Sequence, residues 1–465
     1  MDRQASWIAR AVSGRLVGAD VTVAGPVVTD SREAAPGSLY VARRGETTDG
    51  HLFVGGAHHA GAVCALVEHV VDAPLTQIVV EDATAALGEL ARAHLADLRR
   101  RGPLDVVAIT GSAGKTTTKD LLVQVLGAFA PTLAPKLSFN NEVGVPLTVL
   151  RADTSTRHLV LEMGASGPGH LAYLTRIAPP DVAVELMVGR AHLGGFGSQD
   201  DVARAKAELV LGLRAGGTAV LNADDARVAA MASLTDGPVV RFSTDPRTAA
   251  DVWATEVGVD EGDRVSFVLH HHGGSAPVHL GLVGVHHVHN ALAAAAAALV
   301  LGCELGEVAR ELSGAHALSP HRMAVTDLTL DGRHVTLVDD AYNANPDSMR
   351  AGLEAAAALA RGRRLVAVLG EMLELGPTSD DIHREVGAAA ARVGVSTLVT
   401  VGDGARALAD ALPEGTRVER AATAEQAESM LDPLLRDGDV VLVKGSNGSG
   451  AWRIADALVE RGADR

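Results

Sequence analysis

The sequence has few of the features that would assign it to several whole classes of protein. Its 465 residues include only two cysteines, Cys64 and Cys303, far apart in the chain, which fits a reduced compartment better than a disulfide framework. No stripe of basic residues is present and the net charge is −16, so we expect no nucleic-acid partner. The residues after Met1 lack the apolar core of a signal peptide, and the Ala-rich run 291–300 is too short to span a bilayer. We therefore expect a cytoplasmic protein without membrane insertion.

The sequence does contain one glycine loop with a strong chemical signature. An apolar run at 106–109 is typical of a buried parallel strand, and an amphipathic helical run follows at 121–126. Between them, backbone N–H groups and a helix N-terminus can face a phosphate, a lysine adds positive charge, and a threonine hydroxyl can reach Mg²⁺. Ile109 stands where the usual P-loop has its first glycine, so the loop is a shortened variant. The pattern predicts ATP binding by Gly111, Ser112, Ala113, Gly114, Lys115, Thr116 and Thr117.

The length is too great for one ordinary core, and the pattern of elements divides the chain into three. A charged stretch ending in Gly102-Pro103 predicts the first boundary. Strand, loop and helix then alternate as in a mostly parallel sheet, with an antiparallel excursion at 251–285. A second doubly wound, Rossmann-like unit without a dinucleotide fingerprint follows. We predict an α/β fold with domains at 1–102, 103–316 and 317–465.

Polar and glycine residues cluster where the predicted strands end. In the first domain these are Ser31, Arg32, Gly45 and His51, which fit ligand loops and ordinary turns equally well. In the central domain, Glu162 ends an apolar strand that should lie beside the phosphate loop. Thr116 and Glu162 then offer the hard oxygen ligands that Mg²⁺ prefers. The consecutive histidines at 270–272 do not predict a metal site, because neighbouring strand residues face opposite sides.

Four further stretches resemble the Mur ligases, the ATP-dependent amide-forming enzymes of peptidoglycan assembly. The resemblance runs over nearly the whole chain, and the phosphate loop carries it at the level of the superfamily. The more specific motifs are 138–146 (SFNNEVGVP), 162–165 (EMGA), 191–197 (AHLGGFG) and 339–349 (DDAYNANPDSM). They most resemble the family member that adds D-alanyl-D-alanine to UDP-N-acetylmuramoyl-tripeptide. The sequence leaves open whether the third residue of that peptide is meso-diaminopimelate or L-lysine.

The resemblance implies a three-domain ligase, expected as a monomer, that uses ATP and Mg²⁺ and forms an acyl phosphate. The first domain would bind the UDP-sugar, the central domain ATP, and the third domain would close over the nucleotide about a hinge near 315–319. By the resemblance, Asn290 contacts adenine, Arg322 reaches the nucleotide phosphates and Asp340 contacts ribose. The substrate residues are expected among the motifs quoted above, at Asn140, Asn141, Tyr342, Asn343 and Asn345.

Two residues of the implied metal site have a competing interpretation. The resemblance makes His192 a ligand of a second Mg²⁺, although imidazole is not a preferred ligand of magnesium and a hydrogen-bonded loop histidine is the alternative. It makes Lys206 a carbamylated lysine, whereas spacing alone favours a surface lysine paired with an acid. A carbamate would supply carboxylate-like oxygens where an ammonium would repel the metal. Ser198 is expected to cap the Lys206 helix, with acidic residues in its first turn.

The sequence departs from the family pattern at two places. Lys136-Leu137 stands where a glycine is common, and residues 447–453 replace the usual basic, Met-containing helix start. The second departure concerns the domain that handles the incoming amine. A related ligase recruited to another pathway, such as a peptide antibiotic or a polyglutamate chain, is therefore one alternative. A non-catalytic nucleotide-binding scaffold is another, against which Lys115, Glu162, His192 and Lys206 argue together.

Overall fold

The computed structural model describes residues 1–45, 48–135, 137–190, 198–260 and 264–463. It contains three main sheets, and helices cover both faces of the two larger ones. No helix within these ranges combines the length and the apolarity needed to cross a membrane.

The N-terminal region is built on a small sheet with strand order β2-β7-β6-β5-β4, in which only β2 is antiparallel. Two 3₁₀ turns, Ser31–Glu33 and Gly50–Phe53, lie in its loops. Its elements are β1 (Arg3–Gln4), α1 (Ala5–Ala11), β2 (Arg15–Val17), β3 (Thr22–Val23), β4 (Val27–Val28), β5 (Leu39–Val41), α2 (Val54–His59), β6 (Cys64–Val67), β7 (Thr76–Val79) and α3 (Ala83–Arg101).

The central region has a nine-stranded sheet, parallel from β9 to β14, with the order β16-β15-β14-β13-β12-β11-β8-β10-β9. The predicted antiparallel excursion is confirmed, and it extends this sheet at one edge. Its elements are β8 (Asp105–Thr110), α4 (Lys115–Gly127), β9 (Thr132–Leu133), α5 (Gly144–Val149), β10 (His158–Glu162), α6 (His170–Ile177), β11 (Val182–Glu185), α7 (Gln199–Leu211), β12 (Thr218–Asn222), α8 (Ala226–Ala230), β13 (Val239–Ser243), β14 (Val252–Val259), β15 (Arg264–His271), β16 (Gly274–Val283), α9 (His287–Val300) and α10 (Leu305–Gly314).

The C-terminal region has a six-stranded sheet with the order β17-β18-β22-β19-β20-β21, parallel except for β17. Its elements are β17 (Ala324–Leu330), β18 (Arg333–Asp340), α11 (Pro346–Ala360), β19 (Leu365–Gly370), α12 (Ser379–Arg392), β20 (Val395–Val401), β21 (Arg417–Ala421), α13 (Ala424–Leu431), β22 (Asp439–Lys444) and α14 (Ala451–Ala463).

The sequence pattern missed or misjudged some elements of the last sheet. Strands β17 and β21 lie at its two edges, where polar residues alternate with apolar ones, so neither has the continuous apolar run that marks a buried strand. Residues Asp403–Ala411 form a 3₁₀ helix rather than an α-helix. Helix α13 ends at Leu431, and a 3₁₀ turn containing Pro433 follows, since proline has no N–H for a helical bond.

One hydrophobic core joins the N-terminal and central regions. Residues of α1, α3 and β6 belong to the same buried cluster as residues of β8, β10 and α7. Polar contacts support this junction: His94 Nε2 lies 2.9 Å from the Ala152 carbonyl oxygen, and Arg99 donates to Asp181 at 2.6 Å. The C-terminal sheet is covered by separate clusters of its own. The first two regions therefore pack as a single body.

Candidate active site

A cavity of about 1140 Å³ lies where the carboxyl ends of the central strands face the C-terminal region. The carboxyl ends of parallel strands meet at one edge of a sheet, which is where ligands bind in open α/β folds. Residues from the phosphate loop, from β10 and β12, and from the segment after β18 line this cavity. The two regions therefore share one site.

The phosphate loop has the predicted geometry. Helix α4 begins at Lys115, directly after Gly114, so its N-terminal amides face the cavity. Gly114 has a φ of +84°, and a Cβ atom there would lie 2.3 Å from Asn290 Oδ1, so only glycine fits. Lys115 Nζ donates to the Gly111 carbonyl oxygen at 2.7 Å. Burial lowers the pKa of Lys115, an effect that the nearby Glu162 carboxylate opposes.

Glu162 and Thr116 meet beside this loop, as the sequence predicts. Strands β8 and β10 pair in register, so that Glu162 lies opposite Ile109. Thr116 Oγ1 donates to Glu162 Oε2 at 2.8 Å, and Asn140 Nδ2 donates to the other carboxylate oxygen at 2.8 Å. The described ranges hold no cluster of three His, Cys, Asp or Glu side chains suited to a metal. The hydroxyl and the carboxylate are nevertheless the oxygen donors that fit a partly hydrated Mg²⁺.

Lys206 lies on α7, is 5% exposed and lines the cavity, so it is not the surface lysine that its spacing favours. The helix has the expected N-cap, since Ser198 Oγ accepts from the Asp201 amide at 3.2 Å. Burial, followed by the nearby Lys115 charge, lowers the pKa of Lys206. A lowered pKa provides the neutral amine that carbamylation requires. His192 and the rest of the 191–197 motif lie outside the described residues, as does Lys136.

Glu185, at the end of β11, is a buried acid that the sequence analysis did not single out. It is 0% exposed, and neither carboxylate oxygen has a hydrogen-bond partner among the residues that the structure describes. Burial raises its pKa, while the Lys206 charge acts in the opposite direction. The signal that identified Glu162, an acid ending an apolar strand, was present here as well.

Three residues expected to contact the nucleotide line the cavity, and each has a defined partner in the protein. Asn290 is held against the phosphate loop, because its Oδ1 accepts from Thr118 Oγ1 at 3.4 Å. Arg322 Nη2 donates to Thr116 Oγ1 at 3.0 Å. The Asp340 carboxylate accepts from Lys444 Nζ at 2.5 Å.

The 339–349 motif connects the C-terminal region to the phosphate loop. The Arg322 guanidinium lies 4.3 Å from the centre of the Tyr342 ring, and the Tyr342 hydroxyl is hydrogen-bonded to Ser138. Asn345 caps α11 by accepting from the Ser348 amide, and its amide nitrogen donates to the Ser112 carbonyl oxygen at 3.2 Å. The other predicted substrate residues, Asn140, Asn141 and Asn343, also line the cavity.

The four N-terminal candidates do not line this cavity. Arg32 is exposed and paired with Asp30, and Ser31 and Gly45 lie in loops. His51 is buried, its Nδ1 lies 2.6 Å from Asp49 Oδ1, and its Nε2 accepts from the Glu68 amide at 2.8 Å. Both ring nitrogens are therefore used inside the domain, which favours a structural role for His51 over the expected ligand contact.

Comparison with protein-family models finds matches along most of the chain. Residues 26–95 match the model described as Mur ligase family, catalytic domain; residues 109–298 match the Mur ligase middle domain; residues 321–447 match the Mur ligase, glutamate ligase domain. A curated relative from Mycobacterium tuberculosis is 45% identical, with 94% of this chain and 92% of the relative covered. This chain belongs to the Mur ligase family.

Two of the curated relatives share one name. The Mycobacterium tuberculosis protein and a relative from Escherichia coli, 36% identical with 97% of each chain covered, are named UDP-N-acetylmuramoyl-tripeptide–D-alanyl-D-alanine ligase. A crystal structure of MurF from Acinetobacter baumannii is 32% identical, covers 99% of both chains and superposes with a TM-score of 0.86. MurF from Thermotoga maritima in complex with ADP is 28% identical, covers 94% of this chain and 98% of its own, and has a TM-score of 0.80.

Proposed function

We infer that this Mur ligase joins D-alanyl-D-alanine to UDP-N-acetylmuramoyl-tripeptide, using ATP and releasing ADP and phosphate. The observation that carries this inference is the convergence of Lys115, Glu162 and Arg322 on one cavity, in a chain that is 45% identical to a relative of that name. A UDP-linked substrate and ATP are consistent with a cytoplasmic enzyme, as the sequence analysis expected.

The arrangement suits amide formation through an acyl phosphate. A carboxylate oxygen of the tripeptide attacks the γ-phosphorus of ATP, the bond to the β–γ bridging oxygen breaks, and ADP leaves. The amine of D-alanyl-D-alanine then attacks the acyl carbon, the C–N bond forms, the C–O bond to phosphate breaks, and the amine loses a proton. Negative charge accumulates on the transferred phosphoryl group. Lys115, the amides at the start of α4 and Arg322 are positioned to stabilise it.

Thr116 and Glu162 would hold Mg²⁺, with a carbamylated Lys206 as a further oxygen ligand; His192 is proposed from the sequence alone. Bound there, the metal would neutralise phosphate charge. The chain's own residues prepare this site, because Asn140 orients the Glu162 carboxylate and burial lowers the pKa of Lys206. Asn290 and Asp340 remain the proposed adenine and ribose contacts.

We assign residues 1–102 to UDP-sugar binding, 103–316 to ATP binding and 317–465 to closure over the nucleotide and binding of the amine. Ser31, Arg32 and Gly45 remain the proposed N-terminal contacts. The altered stretch 447–453 forms a 3₁₀ turn, Asn447–Ser449, followed by the start of α14. It does not line the described cavity, so acceptor choice is expected to depend on Tyr342, Asn343 and their neighbours.

The test is a substrate panel with the purified protein. We expect ADP release with the UDP-linked tripeptide and D-alanyl-D-alanine together, and none with either alone. Tripeptides that end in meso-diaminopimelate or L-lysine, and acceptors such as L-alanyl-L-alanine and glutamate, form the comparison set. Turnover only with a different amine or carboxylate would overturn the assignment.

A further inference from the structure

The segment that joins the central and C-terminal sheets lies along α4, the helix that begins at the phosphate loop. Thr116, Asp120 and Gln124 recur at intervals of four residues, so they form one stripe along this helix. The stripe contacts residues 316–322 at three successive points, with the order reversed. The linker therefore runs antiparallel to the phosphate-loop helix.

The first two contacts hold the linker by its backbone. Gln124 Nε2 donates to the His316 carbonyl oxygen at 2.9 Å, and Gln124 Oε1 accepts from the His316 amide at 3.2 Å. One turn nearer the phosphate loop, Asp120 Oδ2 accepts from the Ser319 amide at 2.9 Å. Side chains on α4 thus fix the path of this segment whatever side chains the linker carries.

Asp120 is itself held by a buried lysine. Lys119 is 1% exposed, and its Nζ lies 2.8 Å from Asp120 Oδ1. The same ammonium donates to the Pro135 carbonyl oxygen at 3.1 Å and to Ser319 Oγ at 3.4 Å. A buried ion pair adds little net stability compared with apolar residues of the same size. The pair therefore calls for an explanation other than the stability of the fold.

The backbone conformation changes two residues after Ser319, the last linker residue that α4 holds by its backbone. His321 and Met323 both adopt left-handed conformations, with φ of +56° and +53°, although neither is glycine. Such residues are concentrated at sites that switch or are held under strain. Between them, Arg322 donates to Thr116, and strand β17 begins one residue later, at Ala324.

We propose that Asp120 is a positioning residue whose side-chain oxygen anchors the linker at Ser319, so that Arg322 reaches the phosphate loop and the C-terminal domain turns about residues 321–323. This moves the pivot from 315–319, where the sequence analysis expected it. Only the kinetic test of this proposal rests on the proposed ligase function. The anchoring itself can be read without turnover.

Two double variants separate anchoring from stability. Lys119→Met/Asp120→Asn removes both charges but keeps an oxygen that can accept from the Ser319 amide. Lys119→Met/Asp120→Leu is nearly isosteric with it and removes that acceptor. We expect the Asn variant to retain turnover within about threefold. We expect the Leu variant to lose roughly ten- to a hundredfold in kcat at similar thermal stability, because a misplacement of about 1 Å can cost that much.

A mutant cycle with Arg322 provides the decisive comparison. Arg322→Ala should lower kcat strongly in the Asn background and little in the Leu background, because the arginine is already misplaced there. Equal kcat in the Asn and Leu variants, or additive effects of Arg322→Ala, would overturn the proposal.

Hydrogen exchange of the wild-type protein tests the pivot, and does not depend on whether the Leu variant folds. On addition of ADP and Mg²⁺, we expect the exchange rates of the 321–323 amides to change by about tenfold or more, while the Ser319 amide stays protected. Equal changes at 315–319 would overturn the pivot. If the protein showed this exchange pattern but no ligase turnover, the anchoring at Ser319 would be supported and the proposed function would be rejected.

Discussion

The central and C-terminal sheets are both mostly parallel, but they differ in whether the buried ionisable side chains at their strand ends are paired. In the C-terminal sheet, Lys444 ends β22 and is 1% exposed, and it forms an ion pair with Asp340 at the end of β18. In the central sheet, Glu185 is equally buried, and the described residues offer its carboxylate no hydrogen bond. Lys206 lines the cavity, and its pKa is lowered.

This difference indicates which buried side chains are available for chemistry. The paired charges at the strand ends of one sheet fix each other's position, whereas buried groups without full pairing are available to a ligand or a modification. Loss of Lys206 should therefore lower activity more than stability. In the C-terminal sheet, loss of Lys444 should lower stability more than activity.

The largest effect is expected from Lys206→Ala. Loss of the carbamate removes a proposed metal ligand, so turnover should fall to near background, by roughly 10³-fold or more. Short carboxylic acids should partly restore it by occupying the vacated place, and wild-type activity should fall when bicarbonate and CO₂ are stripped from the buffer. Arg204→Ala, on the exposed face of the same helix, is the matched control. Full activity in Lys206→Ala would contradict the assignment.

Lys115→Ala should follow, with turnover lower by on the order of 10²-fold. The lysine acts on charge that develops during phosphoryl transfer, so KM should change less than kcat. The melting temperature should stay close to that of the wild type, because this ammonium bonds only to the Gly111 carbonyl oxygen among the described residues. Near-normal turnover would eliminate the proposed role of the loop.

Lys444→Met tests whether the buried ion pair of the C-terminal sheet is structural. It leaves the Asp340 carboxylate without its buried partner, so the free energy of unfolding should fall by about 3 kcal/mol. Lys444→Met/Asp340→Leu should recover much of that stability. Denaturant titration measures both variants, and a stable single variant would show that the pair is not structural.

Glu185→Gln should change how the free energy of unfolding depends on pH. The pKa of Glu185 is raised by burial, so wild-type stability is fully present below the ordinary glutamate pKa and is lost as pH rises through the raised value. The variant cannot ionise and should lose this slope, a difference of about 1.4 kcal/mol for each unit of pKa shift. Parallel stability curves for variant and wild type between pH 5 and pH 8 would count against this origin of the slope.

The sequence predicts those parts of the site that depend on local pattern. The phosphate loop, the position of Glu162 at the end of β10 and the Ser198 cap each follow from short runs of neighbouring residues. The contacts that assemble the site across the chain have no such signal. Asp120 and Ser319 are 199 residues apart, and Lys444 and Asp340 are 104 apart.

The N-terminal candidates show a second limit of the sequence. Spacing identified the loop that contains His51, but it could not reveal whether the ring points toward solvent or toward Glu68. Edge strands such as β17 were missed for a related reason. A mixed pattern of polar and apolar residues indicates a strand only when one face of the sheet is known to be exposed to water. Distant parts of the chain determine which face that is.

The core shared by the N-terminal and central regions has a mechanical consequence. Because α3 packs into the same apolar cluster as β8 and β10, these two regions cannot change their separation without opening that cluster. If the N-terminal loops hold the UDP end of the substrate, as proposed, a fixed distance would separate that end from the phosphate loop. A peptide stem one residue too short would leave its carboxylate short of Lys115, and one too long would overshoot it. The fixed distance alone would then select the length of the substrate's peptide stem, independently of contacts with its side chains.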